Sequence, residues 1–192
     1  MVAQIALPKL DEVAVISEFI DPAEHTVLLR WAEKQFAKGR LKANPAGPNR
    51  YFARYDEGGS VPPVFWKIRK RAISAFSVAE YEDEPEFKCF LGCNTEGGFV
   101  QPHRDPTLPG RHHVRLNIML SKPWRGGYPV VDGRTVEVAE RDLWCFYPSA
   151  MLHYSTPAMG SRKRFVISIG ILVPESAISR GSGSLAGGLP SK

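Results

Sequence analysis

Gln101-Pro-His-Arg-Asp-Pro-Thr107 sets a histidine and an aspartate two residues apart, each within reach of a proline. In an extended chain, alternate residues share a face, so the His103 imidazole and the Asp105 carboxylate can converge on one ion. The pair alone says little, because a turn histidine beside a capping aspartate reads the same way. Further along, Met151-Leu-His-Tyr154 supplies His153 just ahead of the apolar alternation Arg164-Phe-Val-Ile-Ser-Ile169. Two histidines and one carboxylate form the facial set that leaves three positions open on a ferrous iron. Arg164 enters the last strand-like run with a guanidinium fork, whose paired N–H groups match a carboxylate.

Outward from this set the pattern is short and strand-like. Segments 87–91, 98–103, 113–121, 135–138, 143–147 and 164–173 read as strands, punctuated by Gly97-Gly98, Gly126-Gly127 and Asp132-Gly133. So many short strands in succession argue for a closed or two-sheet antiparallel structure. Upstream, Val13-Ala-Val-Ile16 reads as a short strand. Asp21-Pro-Ala-Glu24 opens a helix, with Asp at the cap, Pro at the first helical position and Glu completing a capping box. Leu28, Trp31, Ala32, Gln35 and Phe36 continue it, and Gly39 ends it. Pro62-Pro63 announces a second helix with Phe65, Ile68, Ala72, Phe76 and Ala79 on one face. Its basic run, Lys67-Ile-Arg-Lys-Arg71, reads as a solvated face. Between the helices, Asn49-Arg-Tyr-Phe-Ala-Arg-Tyr55 is either a surface loop with a short strand or a mobile lid.

The segment from about residue 86 to 173, with His103, Asp105, His153 and Arg164, resembles the iron(II)- and 2-oxoglutarate-dependent oxygenases, in their prolyl-hydroxylase-like and aspartyl/asparaginyl-hydroxylase-like branches. The resemblance implies a mainly β fold, a double-stranded β-helix (jelly roll, cupin-like) braced by two or three N-terminal helices. One oxygenase domain is expected over 1–178, helical in 1–85 and jelly-roll in 86–175. The Gly/Ser-rich tail 179–192 is expected to be disordered.

The resemblance also implies roles. His103, Asp105 and His153 would hold Fe(II), with no catalytic residue beyond them and with 2-oxoglutarate and O2 as co-substrates. The carboxylate of Asp105 argues against halide transfer, which needs that position emptied. Arg164, with Ser168 on the same strand face, would bind the far carboxylate of 2-oxoglutarate. Arg115 and Asn117 alternate on one face of 113–121 and are further candidates for that co-substrate or the substrate. Asn117 stands where the similar Arg-x-His motif has histidine, and Met119 where prolyl hydroxylases often have tyrosine. His112 and His113 compete for the ligand role. Substrate candidates are Arg50, Tyr51 and Arg54 of the lid-like stretch, and Trp124 and Arg125 at a turn near the mouth. Trp144 and Phe146 read as core.

With 43% hydrophobic and 23% charged residues, 192 residues suit a soluble domain with an ample core. No run approaches a membrane span, and Met1 to Leu10 lacks the pattern of a secretory signal. Three cysteines, an odd count without a Cys-x-x-Cys pair, suit reduced thiols in a cytoplasm. The expected reaction is hydroxylation of an amino acid, a peptide side chain or a small natural product. A net charge of +5 leaves room for AlkB-like oxidative dealkylation of nucleic acid, which is not favoured because no aromatic-and-basic stacking surface stands out. A third reading is a non-catalytic jelly roll that binds metal or ligand, since His2Asp also suits zinc.

Overall fold

The structure is a computed structural model describing residues 4–44, 47–55 and 61–178. The tail 179–192, expected to be disordered, lies outside the described residues. In chain order the elements are β1 (Ala14–Ile16), α1 (Pro22–Ala37), β2 (Lys42–Ala43), β3 (Arg50–Arg54), α2 (Pro63–Ser74), β4 (Glu82–Asp83), β5 (Cys89–Asn94), β6 (Arg111–Ser121) and β7 (Arg125–Gly126). They continue with β8 (Pro129–Val131), β9 (Arg134–Thr135), β10 (Leu143–Phe146), β11 (His153–Ser155), β12 (Ala158–Met159), β13 (Arg164–Pro174) and a 3-10 turn at Glu175–Ala177.

Helix α1 starts as its sequence signals. Glu24 N donates to Asp21 Oδ1 at 2.8 Å and Asp21 N to Glu24 Oε2 at 3.1 Å, so two otherwise orphaned donors are satisfied. Glu24 also receives Arg71 of α2 through two hydrogen bonds, of 2.6 and 2.8 Å, which tie the helices together. Helix α2 is shorter than its apolar spacing suggested. The Ala75 carbonyl accepts from Ile5 N, the chain turns at Ser77 (φ 48°), and Ala79 is exposed. The basic run on α2 is only half solvated: Lys67 and Lys70 face water, whereas Arg69 is buried against Asp83.

The main sheet has eight antiparallel strands in the order β1-β10-β6-β13-β5-β3-β2, with β4 paired to β13. A smaller sheet, β11-β8-β9, and the ladder β12-β7 complete the β structure. Alternation divides the main sheet cleanly. Cys89, Leu91, Cys93, Leu116, Ile118, Leu143, Cys145, Phe165, Ile167 and Ile169 pack in one core with Leu28, Trp31, Phe65 and Ile68 of the helices. Each fully buried Leu or Ile there contributes about 1.5–3 kcal/mol. All three cysteines lie in this layer as buried free thiols. The opposite residues of the same strands face the smaller sheet.

Two expectations give way here. Of the two readings of 49–55 the short strand holds and the lid does not: Arg50–Arg54 pair with β5 and β2 inside the main sheet. The run 98–103 is not a regular strand. It follows β11 and β12 through scattered backbone bonds, broken because Pro102 has no N–H and the Ser155 hydroxyl takes the Val100 N–H. Among the described residues, no helix is long and apolar enough to cross a membrane.

Candidate metal centre and cavity

Gln101 and Asp105 each precede a proline, which steers them away from helical backbone and keeps the segment extended. His103 and His153 then bridge reciprocally: His103 N donates to His153 O at 3.1 Å, and His153 N to His103 O at 2.9 Å. Asp105 N donates to Pro148 O at 2.9 Å. Side chains of such a pair leave the same face, and the two imidazole centroids lie 4.2 Å apart.

The tautomers are set by the partners. His103 Nδ1 lies 2.8 Å from Gln101 O and His153 Nδ1 lies 3.1 Å from Met151 O. A carbonyl only accepts, so each Nδ1 carries a proton and each neutral ring keeps its lone pair on Nε2. Both Nε2 atoms face Asp105 Oδ1, at 3.5 and 3.9 Å. Three lone-pair donors aimed at one another need a shared positive ion, either a proton or a metal. Among the described residues, His103, Asp105 and His153 form the group whose ligand atoms, all within 4.8 Å of one another, could hold that metal.

Asp105 spends its second oxygen elsewhere. Oδ2 lies 3.2 Å from Arg115 Nη2 and 3.5 Å from His113 Nδ1, both on β6. Burial alone would raise the Asp105 carboxyl, but the His103 hydrogen bond and the Arg115 charge, helped by His153 and His113, hold it well below the usual carboxylate range. Burial pushes His113 down to about 3, with Arg115 adding to the effect. It pushes His153 down to about 4, with His103 second. His103 moves up, chiefly through its hydrogen bond to Asp105. His113 is thus buried beside the carboxylate and outside the ligand group, while His112 is half-buried near the Tyr147 ring.

The centre opens into a cavity of about 310 Å³ between the two sheets. Arg115, Asn117, Arg164 and Ser168 all line it, from β6 and β13. Arg164 is buried, and burial together with the neighbouring Arg50 lowers it to about 10. Arg164 Nε and Ser168 Oγ are buried with no hydrogen-bond partner among the described residues. Arg50 lines the cavity too, in a cross-strand row with Asn94 and Arg164.

Other candidates do not reach the cavity. Tyr51 points to the opposite face of β3 and meets Phe36, because alternation gives the cavity Arg50 and Phe52 instead. Arg54 shares their face, yet its guanidinium lies over the Phe87 ring at 4.2 Å and does not line the cavity. Trp124 is 70% exposed under Arg162, and Arg125 is exposed on β7 where it pairs with β12. Trp144 and Phe146 are buried in the core cluster, as expected, and also form cavity wall, with the Phe146 ring tilted 5.0 Å from the His153 ring. Phe52, Phe87 and Phe90 complete an aromatic wall that the sequence pattern did not single out. The alternation of Arg50-Tyr-Phe-Ala-Arg54 was its one available signal.

No family model matches the chain, and no curated protein matches it in sequence. Solved structures do match. A Pseudomonas putida prolyl-4-hydroxylase is 19% identical with a TM-score of 0.62, covering 84% of this chain and 92% of that one. A Trichoplax adhaerens prolyl hydroxylase, in complex with a hypoxia inducible factor peptide fragment, is 14% identical with a TM-score of 0.68, covering 87% and 86%. HygX from Streptomyces hygroscopicus, with nickel, 2-oxoglutarate and hygromycin B bound, is 14% identical with a TM-score of 0.60, covering 86% and 84%. The chain has the double-stranded β-helix fold of these iron- and 2-oxoglutarate-dependent oxygenases.

Proposed function

We propose that this chain is an iron(II)- and 2-oxoglutarate-dependent oxygenase that hydroxylates an unactivated C–H of a small molecule or peptide side chain. The observation that carries the reading is the facing of three lone-pair donors, His103 Nε2, His153 Nε2 and Asp105 Oδ1, at the wall of a cavity that also holds a buried guanidinium. The donor set, two imidazoles and one carboxylate, suits ferrous iron with three positions left open. When bound, iron with 2-oxoglutarate supplies the oxidising chemistry, reducing O2 while 2-oxoglutarate becomes succinate and carbon dioxide.

The chain's own residues supply position and charge. Burying a guanidinium without a carboxylate partner is costly, so the Arg164 fork calls for an anion, and the carboxylate of a keto-diacid meets that need. Ser168, beyond Val166 on the same strand face, has a hydroxyl unpaired among the described residues to add to the same anion. Arg115 fixes the rotation of Asp105 and leaves Oδ1 free for the ion. Trp144, Phe146 and Val131 give the cavity beside the centre an apolar wall. The Trichoplax enzyme with its peptide and HygX with hygromycin B support the breadth of substrate left open here.

Anaerobic titration tests the reading. A visible charge-transfer band should appear only when Fe(II) and 2-oxoglutarate are both present, and succinate should form once O2 is admitted with a substrate. Metal uptake without any 2-oxoglutarate binding would instead mark a non-catalytic metal module.

A further inference from the structure

The cavity carries an excess of positive charge. Among the described residues, Arg50, Arg115 and Arg164 line it against a single carboxylate, Asp105. Arg115 is committed to Asp105. If Arg164 takes 2-oxoglutarate, as the proposed function requires, one guanidinium is left. Arg50 makes no ion pair or side-chain hydrogen bond among the described residues, although it lies between the sheets.

Arg50 has Asn94 and Arg164 on one side, and an aromatic wall begins on the other. Phe52 comes next on the same face of β3, and the rings of Phe52, Phe87 and Phe90 run on from there with centroids 6.3 and 6.0 Å apart. All three rings line the cavity. Among the described residues, no second acidic side chain lines it, so a free ammonium on the substrate would find no counter-charge. One spare guanidinium suits a singly charged carboxylate better than a phosphate, which would bring a second charge into an apolar wall.

We infer that Arg50 is a specificity-determining residue that docks a carboxylate on the substrate, and that the substrate is an apolar monocarboxylic acid whose body lies along Phe52, Phe87 and Phe90. This rests on Arg164 being the 2-oxoglutarate anchor. The competing use of Arg50 is as a second clamp on 2-oxoglutarate, since the row Arg50, Asn94, Arg164 spans only two strand spacings, about 10 Å.

Calorimetry on the Zn(II)-loaded protein separates the cases. 2-Oxoglutarate is titrated first; failure at this step overturns the proposed function and is read before any other acid is added. Benzoate, 3-phenylpropanoate and hexanoate are then titrated beside their primary amides. At least one acid should bind about tenfold more tightly than its amide. Arg50→Gln should erase that preference and leave 2-oxoglutarate affinity within about twofold, while Arg50→Lys keeps part of the preference. Equal binding of acids and amides, or no binding by any of the three acids, overturns the inference. So does a loss of 2-oxoglutarate affinity in Arg50→Gln as large as that in Arg164→Gln.

Discussion

Arg115 Nη2 sits 3.2 Å from Asp105 Oδ2, while the other oxygen of that carboxylate faces both imidazoles. The guanidinium is itself anchored by the Phe87 carbonyl at 2.8 Å. Gly170 makes room for it, since a Cβ there would fall 2.7 Å from Arg115 Nη1. Partners that orient a ligand carboxylate are typically worth about 10–100-fold in metal affinity. Arg115→Met should therefore weaken Fe(II) or Zn(II) binding by about tenfold or more, with Gly170→Ala weaker in the same direction. Tighter metal binding in Arg115→Met would mean that repulsion between guanidinium and metal outweighs orientation.

Replacing a ligand should act differently from replacing its neighbour. His103→Ala, Asp105→Ala and His153→Ala each should abolish stoichiometric metal uptake and turnover. His113→Asn, which removes a buried ring beside Asp105 but no member of the ligand group, should keep stoichiometric uptake. Metal titration of the four variants checks this, and the opposite pattern for His113 and His153 would reassign the centre.

The proposed co-substrate site predicts a graded response. Loss of a charged hydrogen-bonding partner costs about 1.5–3 kcal/mol, so Arg164→Ala should raise the 2-oxoglutarate concentration required by roughly 10–100-fold. Ser168→Ala removes one neutral donor and should cost only a few-fold. Steady-state titration of 2-oxoglutarate gives both numbers. Equal effects would show that the fork does not dominate.

Stability of the metal-free protein should fall on the acid side of neutrality. Burial first, then Arg115, pushes His113 down to about 3, and burial first, then His103, pushes His153 down to about 4. In the unfolded chain both titrate near about 6.5, so between those values the unfolded state binds more protons. Stability is therefore lost as pH drops from about 6.5 toward 4. Asp105, held below its unfolded value, adds a loss of the same sign at lower pH. His103 opposes them: its raised value gives stability present at low pH and lost as pH rises through the folded value. Urea midpoints at about pH 7, 6 and 5 should decline, and His113→Asn should flatten the decline.

Alternation and capping account for what was legible in the sequence. Arg164, Val166 and Ser168 share a face because strands repeat every two residues, and Asp21 caps α1 because its carboxylate and that of Glu24 satisfy each other's backbone donors. Arg50 was legible as a candidate, but its neighbour Tyr51 was not separable from it until β3 was known to be a strand of the main sheet. The engagement of Arg115 by Asp105 was hidden because it depends on two segments meeting across the cavity, which local pattern does not encode. Trp144 and Phe146 read as core and are buried in it, but that they also face the cavity was hidden for a related reason: a cavity wall and a packed interior demand the same apolar side chains.

The paired backbone hydrogen bonds between His103 and His153 involve no side-chain atom and no ion. Two of the three donors of the socket are thus tied to each other by the main chain itself. Chelating the metal should leave amide exchange at these two positions slow, and a fresh ion should be taken up without a refolding step. A centre framed by backbone pairing is expected to be emptied and refilled by its ion without unfolding of the chain.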